Sequence, residues 1–268
     1  MITTAKNQNE LTQWAFNIIK RKAKFDLDKK YTFTSNVMVN QYIEDCSYAM
    51  TVSLKPSSPI HVHVAQSKLH RSFNEYSLNV LGSQCMDIGK VNSRNRQFMP
   101  FCFLAFDIEG TRHNGFDVMT TAPHGHGVIM FDTHTVFNFR KANARSRCED
   151  GSYKIINPTR DIAKIELIPF CSIGGVKKYI HYSLKYAAKL KDNQINFRPY
   201  DFYPPTSVNY PFWKYLAGTA LHSYELEPVG DEERDALEWL WNLDNPDSGV
   251  SRDLGHGGSA ETVGHQAI

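Results

Sequence analysis

The stretch Pro123-His124-Gly125-His126-Gly127-Val128-Ile129-Met130-Phe131 most constrains what this chain can fold into. Residues 127–131 (GVIMF) read as the core of one strand and residues 101–109 (FCFLAFDIE) as another. The intervening GTRHNGFDVMTTAP is rich in turn residues, so the two strands are expected to form a long hairpin. Side chains two apart on a strand share a face, so His124 and His126 project together and could hold one metal ion. On the partner strand Phe103, Ala105, Asp107 and Glu109 alternate onto one face. Glu109 is ranked first as a third ligand because it ends that strand beside the start of the histidine strand. Asp107 and the loop residue Asp117 are the alternatives. A carboxylate beside two imidazoles moves the preference towards hard ions, Mg²⁺ or Mn²⁺.

Such a pair also arises by chance, and the chain contains a second, His61-Val62-His63. No acidic strand lies close before that one, so the later pair is the better metal candidate. Residues 179–189 (YIHYSLKYAAK) form the other chemically loaded segment. Read as a helix, they place Tyr182 and Tyr186 one turn apart on one face, with Lys185 and Lys189 repeating at the same interval. A phenol of ordinary pKa about 10 is a poor nucleophile until a cation favours its phenolate. Tyrosine, lysine and metal together would suit attack on a phosphodiester.

Residues 9–30 read as a helix with Leu11, Trp14, Ile18 and Ile19 on one side. Residues 48–54 and 162–168 alternate as strands, 60–64 form a short apolar stretch, and 67–81 have helical spacing. A further helix is expected over 176–190, just after Gly174-Gly175, and a late one from about Asp231 to Leu243. The proline- and aromatic-rich 196–211 looks irregular. The order predicts an α+β fold, a central antiparallel sheet with helices packed on one face. The expected division is a helical extension (1–45), a catalytic domain (46–195), an irregular to helical extension (196–246) and a disordered tail (247–268).

Charge is unevenly spread. From Glu225 onward eleven acidic residues face only Arg234 and Arg252, a net of −9, leaving +11 on the preceding body. A basic body suits a nucleic-acid binder, and Arg140, Lys141, Arg145, Arg147, Lys177 and Lys178, which flank the two motifs, are the expected phosphate contacts. No run of 18 apolar residues occurs, and no secretory signal is visible at the start, so no membrane partner is expected. Five widely spaced cysteines without a CxxC pair suit reduced thiols and a cytoplasmic location.

PHGHGVIMF followed by YSLKYAAK resembles the HUH endonuclease superfamily, and the YxxKYxxK form resembles its two-tyrosine rolling-circle replication initiators. The strand Ala49-Met50-Thr51-Val52 is similar to that family's first, structural motif. The resemblance covers roughly residues 46–190; it departs at Gly125, where the family has a bulky apolar residue. It implies an RRM-like nuclease fold that nicks and rejoins single-stranded DNA through a 5′-phosphotyrosine link. Tyr182 and Tyr186 would be nucleophiles, Lys185 and Lys189 would orient the phosphate, and His124, His126 and Glu109 would hold Mg²⁺ or Mn²⁺. Partners would be single-stranded DNA, a double-stranded origin, and a host helicase and polymerase, since no GxxxxGK[ST] loop occurs. A transposase or mobilisation relaxase would share this chemistry. A metal-dependent hydrolase with water as nucleophile, or a non-catalytic DNA-binding module, are readings of other classes.

Overall fold

A computed structural model describes residues 8–86, 91, 96–108, 119–189, 199–206 and 210–218. Its centre is a six-stranded sheet built from β1 (Ser47–Leu54), β3 (Phe101–Asp107), β5 (His124–Met130), β6 (Tyr153–Ile156), β7 (Ile162–Pro169) and β8 (Tyr200–Tyr203). The spatial order is β6-β7-β1-β5-β3-β8, and every neighbouring pair is antiparallel. The two-residue strands β2 (Ile60–His61) and β4 (Met119–Thr120) pair separately, β4 lying inside the long β3–β5 hairpin.

Helices cover both faces of the sheet, not the one face expected from element order. Against one face lie α3 (Val62–Glu75), which continues through a π-helical turn at Tyr76–Leu81 into α4 (Gly82–Met86), and α5 (Thr133–Ala142). Their Leu69, Phe73 and Phe139 meet Met50, Val52, Leu104, Phe106 and Ile129. Against the other lie α1 (Gln8–Asp28), α2 (Asn36–Cys46), α6 (Ile173–Ser183) and α8 (Pro211–Gly218), whose Phe16, Ile43, Ile180 and Phe212 meet Phe101, Phe103, Val128 and Met130. This explains FCFLAFD: all seven β3 positions are buried, so alternation disappears and the strand reads as an unbroken apolar run. Each large apolar side chain so buried contributes about 1.5–3 kcal/mol. Residues 8–46, expected as an extension, supply much of the second core.

Residues 196–211 hold an element that composition concealed. Tyr200–Tyr203 forms edge strand β8, with Cys102 opposite Tyr203 and Ala105 opposite Tyr200. Proline-rich surroundings disguise a strand whose pairing is decided entirely by β3. The late helix expected near Asp231 to Leu243 and the tail 247–268 lie outside the described residues.

Glycine fixes the histidine strand in place. A Cβ on Gly127 would overlap the carbonyl of Phe103 on the neighbouring strand, and one on Gly125 would sit 2.8 Å from Leu69 and 2.9 Å from Leu104. The departure of Gly125 from a bulky residue thus has a local cause. Leu69 and Leu104 already fill the space on the face away from the histidines.

Candidate functional site

The hairpin register brings the ligand candidates together. Asp107 lies opposite His124 across β3–β5, and Ala105 opposite His126. Asp107 Oδ2 sits 3.4 Å from His124 Nε2 and 3.5 Å from His126 Nε2. The three ligand atoms lie within 4.8 Å of one another. Ligands bound to one ion at about 2.0–2.2 Å stand roughly 3–4 Å apart, a spacing that Asp107 Oδ2 has to each imidazole. The buried Asp107–His124–His126 group can therefore bind a metal ion. Glu109, ranked first from the sequence, lies outside the described residues, as does Asp117. Asp107 takes the third place here because it is in direct register with His124.

Each imidazole is aimed by its other nitrogen. His124 Nδ1 faces the Ala122 carbonyl at 3.1 Å, which calls for a proton on Nδ1 and leaves Nε2 to donate its electron pair to a cation once the proton it shares with Asp107 is displaced. His126 Nδ1 has the Thr51 hydroxyl at 3.2 Å and the Tyr179 hydroxyl at 3.3 Å. Burial pulls the pKa of His124 down, but the hydrogen bond and charge of Asp107 and the Ala122 carbonyl outweigh it and raise it above the ordinary 6.5. Burial likewise pushes the Asp107 carboxyl up, and contacts from His124 and Lys185 overturn that, holding it at about 2.

Helix α6 carries the tyrosines to this centre. Its N-terminus is capped by the Ser172 hydroxyl, which accepts from Gly175 N at 3.1 Å, and anchored by Glu44, which accepts from Ile173 N at 2.7 Å. The helix therefore begins at Ile173, with Gly174 and Gly175 in its first turn rather than ahead of it. Tyr182, near its end, has its ring 5.0 Å from that of His126. Lys185 links the two halves of the site. Its ammonium donates to the Tyr182 hydroxyl at 3.0 Å, lies 2.7 Å from Asp107 Oδ2, and stands 4.1 Å from the Tyr182 ring centroid. Positive charge so placed stabilises negative charge developing on the phenol oxygen.

The shared face expected for Tyr182 and Tyr186 is a correction. Leu184 leaves helical geometry, so α6 stops at Ser183 and the short α7 (Lys185–Lys189) follows as a separate helix. Tyr186 is fully buried against Phe106 in the core on the sheet's other side, with ring centroids 5.4 Å apart. Burial, and then the charge of Asp107, raise its hydroxyl to about 12. It is a packing residue in this conformation. Lys189 closes α7, and its side chain lies outside the described part.

The expected phosphate contacts lie apart from the two histidines. His124 opens β5, whereas Arg140 and Lys141 are on α5, beyond that strand's far end. Arg140 donates to the Tyr48 hydroxyl at 3.0 Å, and Tyr48 pairs with Ile129, at the far end of the β1–β5 ladder. Ile129 lies five residues along β5 from His124 and three from His126, about 17 and 10 Å of strand. Arg145 and Arg147 follow α5, and Arg147 bridges to Tyr153. Lys177 is buried, with its ammonium 5.8 Å from the Phe16 ring, and the neighbouring Lys178 is half-buried. Proximity in sequence does not become proximity in space here, because the chain leaves the site along β5.

Sequence reasoning missed Thr51, Tyr179 and Lys164. Thr51 pairs with His126, and Tyr179 lies three residues before Tyr182 on the same helix face; both signals were readable once a register was known. Lys164 and Glu166, 3.0 Å apart, continue the same sheet face on β7, with Lys164 opposite Ser53 and Ser53 opposite His124.

The second pair, His61 and His63, does not join the centre. His61 caps α3, accepting from His63 N at 3.3 Å, and the exposed rings stack 4.9 Å apart. All five cysteines are free thiols, three of them buried. No helix among the described residues is long and apolar enough to cross a membrane.

Comparison with protein families, with curated proteins and with solved structures returned no match.

Proposed function

We propose that this protein nicks and rejoins single-stranded DNA, with Tyr182 as nucleophile and Asp107, His124 and His126 holding Mg²⁺ or Mn²⁺. The observation that carries the reading is the continuous chain from Tyr182 hydroxyl to Lys185 to Asp107 to the two imidazoles, at 3.0, 2.7, 3.4 and 3.5 Å. A hydrolase using water would not require a tyrosine hydroxyl beside the ligand set. The order of motifs, with its resemblance to the HUH superfamily, points the same way.

A bound divalent ion would polarise a non-bridging phosphate oxygen and hold the group in line. The residues of this chain do the rest. Tyr182 loses its proton and forms a new O–P bond; the bond from phosphorus to the 3′ oxygen breaks, and that oxygen takes up a proton. Lys185 neutralises charge on the attacking oxygen and the phosphate. The phosphodiester bond is exchanged and not hydrolysed, so a 3′-hydroxyl can attack the phosphotyrosine and restore the strand. Burial of Tyr186 favours a single nucleophile per active site. The free 3′ end would prime copying, which fits a rolling-circle replication initiator acting at an origin with a host helicase and polymerase.

The test is a denaturing gel of protein incubated with Mn²⁺ and labelled oligonucleotides tiled from the DNA around its own gene. A metal-dependent covalent band that disappears in Tyr182→Phe supports the reading. Cleavage without an adduct would support the hydrolase, and a band that persists in Tyr182→Phe would remove Tyr182 from its role.

A further inference from the structure

The hydroxyl of Tyr179 lies at a junction that the chemistry proposed for Tyr182 leaves unused. It stands 3.1 Å from Thr51 Oγ1, 3.3 Å from the Met50 carbonyl and 3.3 Å from His126 Nδ1. Thr51 Oγ1 is itself 3.2 Å from His126 Nδ1, so two hydroxyls and one imidazole nitrogen form a closed triangle. The tyrosine is on α6, whereas Thr51 and His126 pair across β1 and β5. A single hydroxyl thus ties the nucleophile helix to the metal-ligand strand.

We infer that Tyr179 and Thr51 are positioning residues for the metal ligand His126 and, through α6, for Tyr182. A phenol keeps its proton at neutral pH, so the Tyr179 hydroxyl is a donor there. Its proton goes to the Met50 carbonyl and that of Thr51 to the Tyr179 oxygen, which leaves lone pairs on both hydroxyls to receive the Nδ1 proton of His126. That arrangement fixes the tautomer: Nδ1 carries hydrogen and Nε2, facing Asp107, keeps its electron pair for a cation. His126 thereby matches His124, whose Nδ1 is held by the Ala122 carbonyl. Outer partners of this kind typically change metal affinity 10- to 100-fold when removed. The same contact sets the reach of Tyr182, three residues on, since its ring stands 5.9 Å from that of Tyr179.

The inference rests on the reading of Asp107, His124 and His126 as metal ligands, but not on strand nicking. Its test measures Mn²⁺ binding by the full chain, by titration calorimetry or by loss of the free-ion electron-spin-resonance signal. Nitrogen-15 spectra of the histidine rings report the His126 tautomer. Tyr179→Phe and Thr51→Val should each bind Mn²⁺ about 10-fold more weakly, with unchanged circular dichroism. The double variant should lose more and should shift the His126 ring away from the Nδ1–H form. Thr51→Ser, which restores the hydroxyl, should recover affinity. Variants that bind Mn²⁺ as tightly as the native protein, with the His126 tautomer unchanged, would overturn the positioning role. A native protein that binds no Mn²⁺ would remove the ligand reading itself, and the role with it.

Discussion

Replacing Asp107 with asparagine separates the charge of this carboxylate from its shape. Burial raises the Asp107 pKa, but hydrogen bonds from His124 and Lys185 and the ammonium charge of Lys185 outweigh that and bring it from the ordinary 3.8 to about 2. At about 1.4 kcal/mol per pH unit, the gap makes the ionised form worth roughly 2 kcal/mol of folding stability. The folded-state pKa is depressed, so this contribution is present above about pH 4 and is lost as pH falls through about 2. Asparagine stands for the neutral form. Asp107→Asn should therefore unfold in urea, at pH 7 in chelator, with a stability about 2 kcal/mol below the native protein. The difference should narrow as pH approaches 3 and below. Added Mn²⁺ at 100 times its dissociation constant should stabilise the native protein by about 2.7 kcal/mol and the variant far less. A variant equal to or more stable than the native protein at pH 7 would refute the reasoning. Desolvating the carboxylate would then cost as much as its partners return.

Further consequences concern the tyrosines, the imidazoles and the glycine of β5. Tyr186→Phe should still form the covalent adduct that Tyr182→Phe loses, because Tyr186 is buried against Phe106; an adduct lost in Tyr186→Phe with the fold intact would return it to the chemistry. His124 titrates above 6.5, so a metal must displace its proton, and Mn²⁺ affinity should climb between pH 6 and 8. Affinity independent of pH across that range, measured by calorimetry, would contradict this. Gly127→Ala places a methyl group against the Phe103 carbonyl and should cost roughly 3 kcal/mol or more, read by urea unfolding. Loss below 1 kcal/mol would mean that β3 and β5 can separate without breaking their ladder.

The sequence alone determined the two features that depend only on local spacing. Alternation along residues 124–130 put both histidines on one face, and the turn-rich insert implied the β3–β5 hairpin; the structure has both. Lys185 falling within reach of Tyr182 likewise follows from an interval of three residues around a helix end. Tertiary structure decided what depends on register and on chain direction. Which carboxylate meets the histidines turns on a pairing that sets Asp107 opposite His124, and a strand pattern does not specify register when both faces are buried. The break at Leu184 sends Tyr186 into the opposite core although its spacing from Tyr182 is helical, because packing against Phe106 overrides local periodicity. Arg140 and Lys141 end up beyond the far end of β5 because that strand carries the chain away from the two histidines. Side chains three or four residues apart are coupled by the geometry of one turn, whereas groups joined across strands are coupled only by the packing that holds the strands in register.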